Sequence, residues 1–275
     1  MKPFVFLSFL LSGIFTTSFT QHAMAAERGK PFHFAHRGGA YEFEENTLTA
    51  FRSSYEAGIR GCELDIRMTK DGELVILHDD SLQRTHQGEG PVENLQAEEA
   101  RKVLSKKGGE PLPLLADFLK YFADKPGMYI EFEMKTSNKD LYPDERIEAY
   151  ARKIHAAVTA KIPEGSTYVF TSFDPRPLKA VKALDPDAEI MFIKGGPLTP
   201  EILQAAKDIG AKRVACKMEG TTRLAVKDAQ KQGFIVTGWP GRTMEDYFLG
   251  LGLGVDAICT DIPVEVQKYI ERARQ

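Results

Sequence analysis

From residue 114 onward the chain alternates helix-like and strand-like segments with a regularity that few folds accept. Helical patterns are predicted over Leu114–Phe122, Asp144–Ala160, Pro175–Leu184, Pro200–Ile209, Thr222–Lys231, Thr243–Leu251 and Pro263–Arg272. Short extended runs fall between them, over Met128–Met134, Thr167–Ser172, Glu189–Ile193, Arg213–Cys216, Phe234–Thr237 and Ala257–Cys259. Upstream, Phe32–His36 and Gly61–Met68 read as strands flanking a helix over Asn46–Ala57, which Asn46 or Thr47 would cap and Gly58 would stop. Eight strands each followed by a helix, in a stretch close to the roughly 250 residues of a typical (β/α)8 barrel, predict an α/β fold of the TIM-barrel class. An open doubly wound sheet is the alternative, but no Gly-x-Gly-x-x-Gly turn follows the first strand.

One stretch interrupts the alternation. Glu73–His78 is a further extended run after the turn Lys70-Asp71-Gly72. Ser81–Pro113 is irregular, polar and punctuated by Gly88, Gly90, Gly108 and Gly109. It reads as a small insertion after the second strand, with one short helix around Gln96–Leu104. No Pro-rich linker divides residues 26–275, which are expected to form a single domain.

The N-terminus is read separately. Lys2, the apolar stretch Phe4–Phe19 and the small residues ending Ala23-Met24-Ala25 follow the order of a secretory leader, so residues 1–25 are expected to be removed. Ser8, Ser12, Thr16, Thr17 and Ser18 make the stretch too polar and too short for a membrane anchor of about 20 apolar residues. The mature protein is then exported, periplasmic or secreted. The full chain has a formal net charge of -3, and no basic run stands out, which disfavours a nucleic-acid partner. Cys62, Cys216 and Cys259 are odd in number and far apart, which excludes a disulfide framework or a thiolate zinc site as the organising element.

Barrels of this class place their chemistry at the C-terminal ends of the strands. His36-Arg37-Gly38-Gly39 ends the first strand, combining a proton-transfer group, a guanidinium suited to phosphate and glycines that let backbone approach an anion. Alone, this run is equally consistent with a surface turn. Glu63 and Asp65 alternate along the second strand, so both face inward while Cys62, Leu64 and Ile66 face the helices. Paired inward carboxylates are costly unless a cation offsets them. A divalent ion held by oxygen ligands, Ca²⁺ or Mg²⁺, does so. Ion pairs with Arg67 or Lys135 are the structural alternative. Glu131, Glu133 and Lys135 repeat the inward pattern on the next barrel strand. Spacing alone leaves either glutamate as a third ligand, and Lys135 as a phosphate contact. His78-Asp79 ends the extended run and falls near the same rim, so two histidines could serve as acid and base. His33, His86 and His155 lack such placement and read as structural or surface residues. Cations around a metal argue for an anionic substrate, and a phosphate diester suits two proton-transfer groups flanking a metal.

As a set, these residues resemble the glycerophosphodiester phosphodiesterase family of TIM-barrel enzymes, in its bacterial, exported form. The resemblance is carried by His36-Arg37-Gly38, Glu45-Asn46-Thr47, Glu63-Leu64-Asp65, His78-Asp79, Glu133-Met134-Lys135, Ser172-Phe173-Asp174-Pro175 and Gly254-Val255-Asp256 with Thr260-Asp261-Ile262-Pro263. It implies one divalent cation on Glu63, Asp65 and Glu133, favouring Glu133 over Glu131. It implies His36 and His78 as the proton-transfer pair, Arg37 and Lys135 on the phosphate, and Glu45 and Asn46 bracing the first loop. It also implies Phe173 and Trp239 beside the glycerol. The activity implied is hydrolysis of glycerophosphodiesters to glycerol 3-phosphate and an alcohol.

One departure stands out. Where the family often has Trp-Thr-Val-Asn, this chain has Trp239-Pro240-Gly241-Arg242, so the alcohol-binding end differs and Arg242 is either an anion contact or a surface helix start. Two other readings compete. A phospholipase D-like enzyme acting on lysophospholipid or sphingolipid would need an apolar mouth, which Ser81–Pro113 is too polar to suggest. A non-catalytic phosphodiester-binding protein would have no use for an acid–base pair.

Overall fold

Eight parallel strands close on themselves, and a helix follows each. The computed structural model describes residues 31–275, so the leader assigned to residues 1–25 lies outside the described residues. In chain order the elements are β1 (Phe32–Ala35), α1 (Leu48–Glu56), β2 (Gly61–Met68), β3 (Leu74–Ile76), α2 (Ala97–Ala100), α3 (Leu115–Phe122), β4 (Tyr129–Met134) and α4 (Asp144–Thr159). They continue as β5 (Thr167–Ser172), α5 (Pro175–Leu184), β6 (Ile190–Ile193), α6 (Pro200–Asp208), β7 (Arg213–Lys217) and α7 (Arg223–Lys231). The last are β8 (Ile235–Gly241), α8 (Met244–Leu253), β9 (Ala257–Thr260) and α9 (Pro263–Arg272). The sheet runs β1-β9-β8-β7-β6-β5-β4-β2, and β1 pairs with β2 to close the barrel. β3 is the exception, folding back antiparallel on the end of β2 with Arg67 opposite Val75. The predicted (β/α)8 barrel is therefore the observed fold.

Period-two alternation divides each strand between two cores. Outward residues of β2 (Cys62, Leu64, Ile66) and β4 (Ile130, Phe132, Met134) join the layer beneath the helices. α3 presents Phe118 and Phe122 one turn apart to that layer. Phe118 packs edge-on against Phe51 at 4.9 Å and Phe132 at 6.3 Å. Its replacement by Ala would leave a cavity costing about 3–5 kcal/mol. Inside the barrel a smaller apolar plug of Phe34, Tyr129, Val169, Met191, Ala215, Ala257 and Cys259 fills the floor. The charged residues of β2 and β4 occupy the remaining interior.

The turns from strand to helix end in caps that fix where each helix starts. Asp174, Thr199, Thr222 and Thr243 each accept a hydrogen bond from the first turn of α5, α6, α7 and α8. For α1 the cap is Thr47, whose Oγ1 accepts from the Ala50 amide at 3.0 Å. Asn46 is not the cap; its backbone is left-handed and its side chain turns into the barrel.

The insertion is less irregular than its composition predicts. Its helix is only Ala97–Ala100, preceded by short 3-10 turns at Leu82–Arg84 and Val92–Asn94. The expected continuation to Leu104 fails because Leu104 pairs with Pro111 and Ser105 with His86 in isolated bridges. Val75, Leu77, Leu82, Val92, Ala100, Leu112 and Leu114 form a core of their own, directed inward. Arg67 ties this unit to the barrel through an ion pair with buried Glu93 at 2.8 Å, a contact with Asp80 and hydrogen bonds to the His78 carbonyl. Arg67 therefore serves the insertion rather than Glu63 or Asp65. No helix among the described residues is long and apolar enough to cross a membrane.

Candidate active site

Strand register assembles the carboxylates. β2 and β4 pair with Glu63 beside Glu131 and Asp65 beside Glu133, so two acidic layers stack up the barrel axis. Glu63, Asp65 and Glu133 are all buried, and ligand oxygens from the three lie within 4.8 Å of one another. Glu63 Oε1 is buried without a partner, and Asp65 Oδ1 makes no hydrogen bond and has only the Lys135 ammonium at 3.4 Å. Burial, then the charges of Asp65 and Glu133, push Glu63 well above the usual carboxylate range. Burial acts on Asp65 in the same direction, but His78, Lys135, Arg37 and the Asn46 amide overcome it and hold Asp65 below that range. An all-oxygen donor set with an orphaned oxygen on Glu63 fits a hard divalent cation. Glu131 is engaged differently: the Tyr129 hydroxyl donates to it at 2.5 Å, and burial pushes it up to about 8.

A strained loop carries the first histidine and arginine. His36–Gly38 form a single 3-10 turn after β1, and Arg37 has the left-handed φ of 51°. Asn46 is also left-handed, at φ 58°. Such residues cost on the order of 1–3 kcal/mol each and persist where surrounding bonds fix them. Those bonds are present. The Arg37 amide donates to Glu63 Oε2 at 3.1 Å, the Asn46 amide to the Arg37 carbonyl at 2.9 Å, and Asn46 Nδ2 to Asp65 Oδ2 at 2.8 Å. Gly38 is required beneath them: at φ 82° a Cβ would lie 2.8 Å from the Ala50 Cβ.

Each histidine is backed by a carboxylate. His36 Nδ1 lies 2.6 Å from Asp261 Oδ1, and its Nε2 faces Glu63 Oε2 at 3.9 Å. His78 Nδ1 lies 2.6 Å from Asp79 Oδ1. An acceptor at Nδ1 assigns the proton there and leaves Nε2 free in the neutral ring. The cations interlock with the acids. Arg37 pairs with Glu45 at 3.0 Å and reaches Asp65 at 3.4 Å, while Lys135 pairs with Glu133 at 2.7 Å and Asp65 at 3.4 Å. Arg84, from the insertion, bridges Glu45 at 2.6 Å to Asp79 at 2.5 Å.

His36, Arg37, Glu63, His78, Glu131 and Glu133 line one side of a cavity of about 130 Å³. Phe173, Ile193, Ala215 and Trp239 line the other. Phe173 and Trp239 meet edge to face at 5.6 Å, and Lys135 Nζ lies 5.8 Å from the Phe173 ring centre. The structure thus gathers His36, His78, Arg37, Lys135, Glu63, Asp65, Glu133, Phe173, Trp239, Glu45 and Asn46 around one mouth.

Residues 36–265 match the sequence pattern of the glycerophosphoryl diester phosphodiesterase family. A glycerophosphodiester phosphodiesterase of Caldanaerobacter subterraneus is 30% identical over 241 residues, covering 85% of this chain and 95% of that protein. One from Bacillus altitudinis is 28% identical over 257 residues, covering 88% and 98%. The chain belongs to the glycerophosphoryl diester phosphodiesterase family. The same barrel occurs in a phosphodiesterase of Oleispira antarctica solved with the product sn-glycerol-3-phosphate. It superposes with a TM-score of 0.78 at 22% identity, over 88% of this chain and 97% of that one, a likeness of fold.

Within this family member, three participants escaped the reading of single residues. Asp261 orients His36, Asp79 orients His78, and Arg84 locks Glu45 to Asp79. Asp261 and Asp79 stood in recognised runs, Thr260-Asp261-Ile262-Pro263 and His78-Asp79, but only the closed barrel brings Asp261 against His36. Arg84 had no signal, because its partners lie on separate loops. Arg242 stands at the rim, more than half exposed, with Nε 3.8 Å from Asp261 Oδ2.

Proposed function

We propose that the protein hydrolyses glycerophosphodiesters to glycerol 3-phosphate and an alcohol, with one divalent cation and the histidines His36 and His78. The observation that carries this reading is the pair of buried carboxylates Glu63 and Asp65, of which Glu63 Oε1 has no partner and Asp65 Oδ1 has only the Lys135 ammonium at 3.4 Å. They sit beside Glu133 and beside the free Nε2 of His36. Glu63, Asp65 and Glu133 would hold the cation. When bound, it would supply Lewis-acid polarisation of a phosphoryl oxygen and acidify the attacking hydroxyl.

The chain's own groups do the rest. Arg37 and Lys135 are held among carboxylates and kept charged: desolvation works against them, but the acids around them raise both. They neutralise charge that grows on the phosphoryl oxygens. His36 is the deeper ring, its side chain 17% exposed against 30% for His78. His36 Nε2 therefore accepts the nucleophile's proton, and His78, nearer solvent, gives one to the departing alcohol. Asp261 and Asp79 hold each ring in place through its Nδ1. Phe173 and Trp239 would pack on the glycerol and exclude water.

The test is turnover of glycerophosphocholine, followed as glycerol 3-phosphate, with Ca²⁺, with Mg²⁺ and with chelator. Metal-dependent product supports the reading. Diester binding without product under any metal would overturn it in favour of a binding protein, and product only from lysophospholipid would point to a lipid substrate. The leader at residues 1–25 further supports an exported enzyme. Mass spectrometry of the mature N-terminus checks it: a chain starting at Met1 in the cytoplasm would refute export.

A further inference from the structure

We propose a second metal site, for a thiophilic ion such as Zn²⁺ or Cd²⁺, built from His36, Glu63 and Cys259, through which such an ion inhibits the enzyme by occupying His36. The three residues come from neighbouring staves. Ala35 at the end of β1 pairs with Cys62 of β2 on one side and Thr260 of β9 on the other. Glu63, one residue beyond Cys62, is level with His36, and Cys259, one residue before Thr260 and opposite Phe34, lies one step deeper beneath it. One ligand atom from each of the three lies within 4.8 Å of the others, and His36 Nε2 is 3.9 Å from Glu63 Oε2. Metal bonds of about 2.0–2.3 Å place tetrahedral ligands roughly 3.3–3.8 Å apart. Rotamer adjustments of about 1 Å would close the site around an ion.

Three independent features point the ligands at an ion. Glu63 is 3% exposed and its Oε1 has no partner. His36 gives its Nδ1 proton to Asp261, the carboxylate–histidine arrangement that orients Nε2 onto a metal. Cys259 faces the barrel interior and lines the same cavity as both. The donor sets also differ in kind. Glu63, Asp65 and Glu133 offer oxygen alone and suit a hard ion, whereas imidazole and thiolate select zinc-like ions. Binding forms an Sγ–metal bond and releases the Cys259 thiol proton to solvent, with no change of oxidation state. The His36 lone pair then holds the ion instead of accepting a proton, which removes the base. The fourth tetrahedral position stays open to water or phosphate.

The binding arm does not depend on the proposed hydrolysis. Cd²⁺ is titrated into the full protein and read by the ultraviolet thiolate-to-cadmium charge-transfer band. The expected result is a band saturating near one equivalent, absent in Cys259→Ala and in Cys259→Ser, and retained in Cys216→Ala. The serine variant preserves side-chain volume should the alanine variant fold poorly. No band in the wild type, or a band that survives in both Cys259 variants, overturns the site. The inhibition arm measures diester turnover against Zn²⁺ in excess Mg²⁺ or Ca²⁺. Losing a ligand should raise the half-inhibiting Zn²⁺ by at least the roughly 10–100-fold that loss of an outer-shell partner costs in affinity. Equal Zn²⁺ sensitivity in wild type and Cys259→Ser would place inhibition at the oxygen site and overturn the inhibitory role.

Discussion

The two walls of the cavity are built on opposite principles. The wall from β1, β2, β4 and the hairpin is a lattice of ion pairs. His78 leans on Asp79, Asp79 on Arg84, Arg84 on Glu45, Glu45 on Arg37, and Arg37 reaches Asp65. The wall from β5, β6, β7 and β8 offers Phe173, Ile193, Ala215 and Trp239, and its polar atoms Thr237 Oγ1 and Trp239 Nε1 are buried without partners. One wall is held by its own ion pairs, with Glu63 Oε1, Asp65 Oδ1 and Arg37 Nε left short of hydrogen bonds. The other is shaped by apolar contact, with a few donors left over. Groups already locked in place need no reorganisation when charge develops, which suits chemistry. Apolar surface with spare donors suits recognition. Substitutions in the first wall should therefore act on kcat, and those in the second on KM.

The sharpest test of the charged wall is His36→Ala. Loss of a positioned acid–base group lowers kcat by roughly 10²–10⁴. Cation binding should persist, because His36 lies outside the oxygen set of Glu63, Asp65 and Glu133. The check pairs turnover with a thermal shift on adding Ca²⁺ or Mg²⁺. At a hundred times Kd that shift corresponds to about 2.7 kcal/mol, or roughly 5–11 °C for a chain of this size. A shift abolished by His36→Ala but kept by Glu63→Gln would invert the assignment.

Next in size is Asp261→Asn. It keeps the shape and removes the charge behind His36, so kcat should fall about 10–100-fold with KM nearly unchanged. A change confined to KM would mean that Asp261 contacts substrate instead of orienting the ring. Asp79→Asn makes the matching probe at His78. Its effect should be smaller, because Arg84 competes for the same carboxylate.

These two walls were not equally legible in the sequence. Glu63 and Asp65 announced themselves because inward carboxylates break a period that otherwise places apolar residues in a core, whereas the choice of Glu133 over Glu131 came only from the family resemblance. Phe173 and Trp239 carried no such signal, since an apolar residue facing a cavity and one facing the barrel floor obey the same alternation. They were reached through the family resemblance. The barrel was legible for a related reason: repeated strand–helix units with capping residues leave few topologies. Three things were not legible. The insertion's small core depends on residues spread from Val75 to Leu114. The choice of Thr47 over Asn46 as cap depends on Asn46 being drawn to Asp65. The contact of Asp261 with His36 spans 225 residues and exists only once β9 closes against β1.

The apolar wall is tested by Trp239→Phe, which keeps an aromatic surface and removes the Nε1–H. That donor has no protein partner. A ligand hydroxyl that accepts from it would contribute about 0.5–1.5 kcal/mol, so KM should rise roughly 2–12-fold with kcat held. An unchanged KM would show that substrate leaves this donor alone, and that the ring acts by packing only.

The smallest effect should come from Arg242→Asn, and it bears on where the two walls meet. Arg242 follows β8, on the apolar side, yet its nearest acid is Asp261 on the charged side, at 3.8 Å. With more than half of its side chain in solvent, that pair contributes roughly 0.2–1 kcal/mol at most and weakens further with salt. Support for His36 through Asp261 should thus be nearly intact, and turnover of a diester with a neutral or cationic alcohol should change by less than about threefold. A diester whose alcohol carries a carboxylate is the discriminating substrate. If Arg242 meets that group, its KM alone should rise in the variant, and the rise should fade as ionic strength increases. If both substrates instead lose kcat in parallel, the arginine acts on the histidine pair. The rim of β8 would then belong to the charged wall.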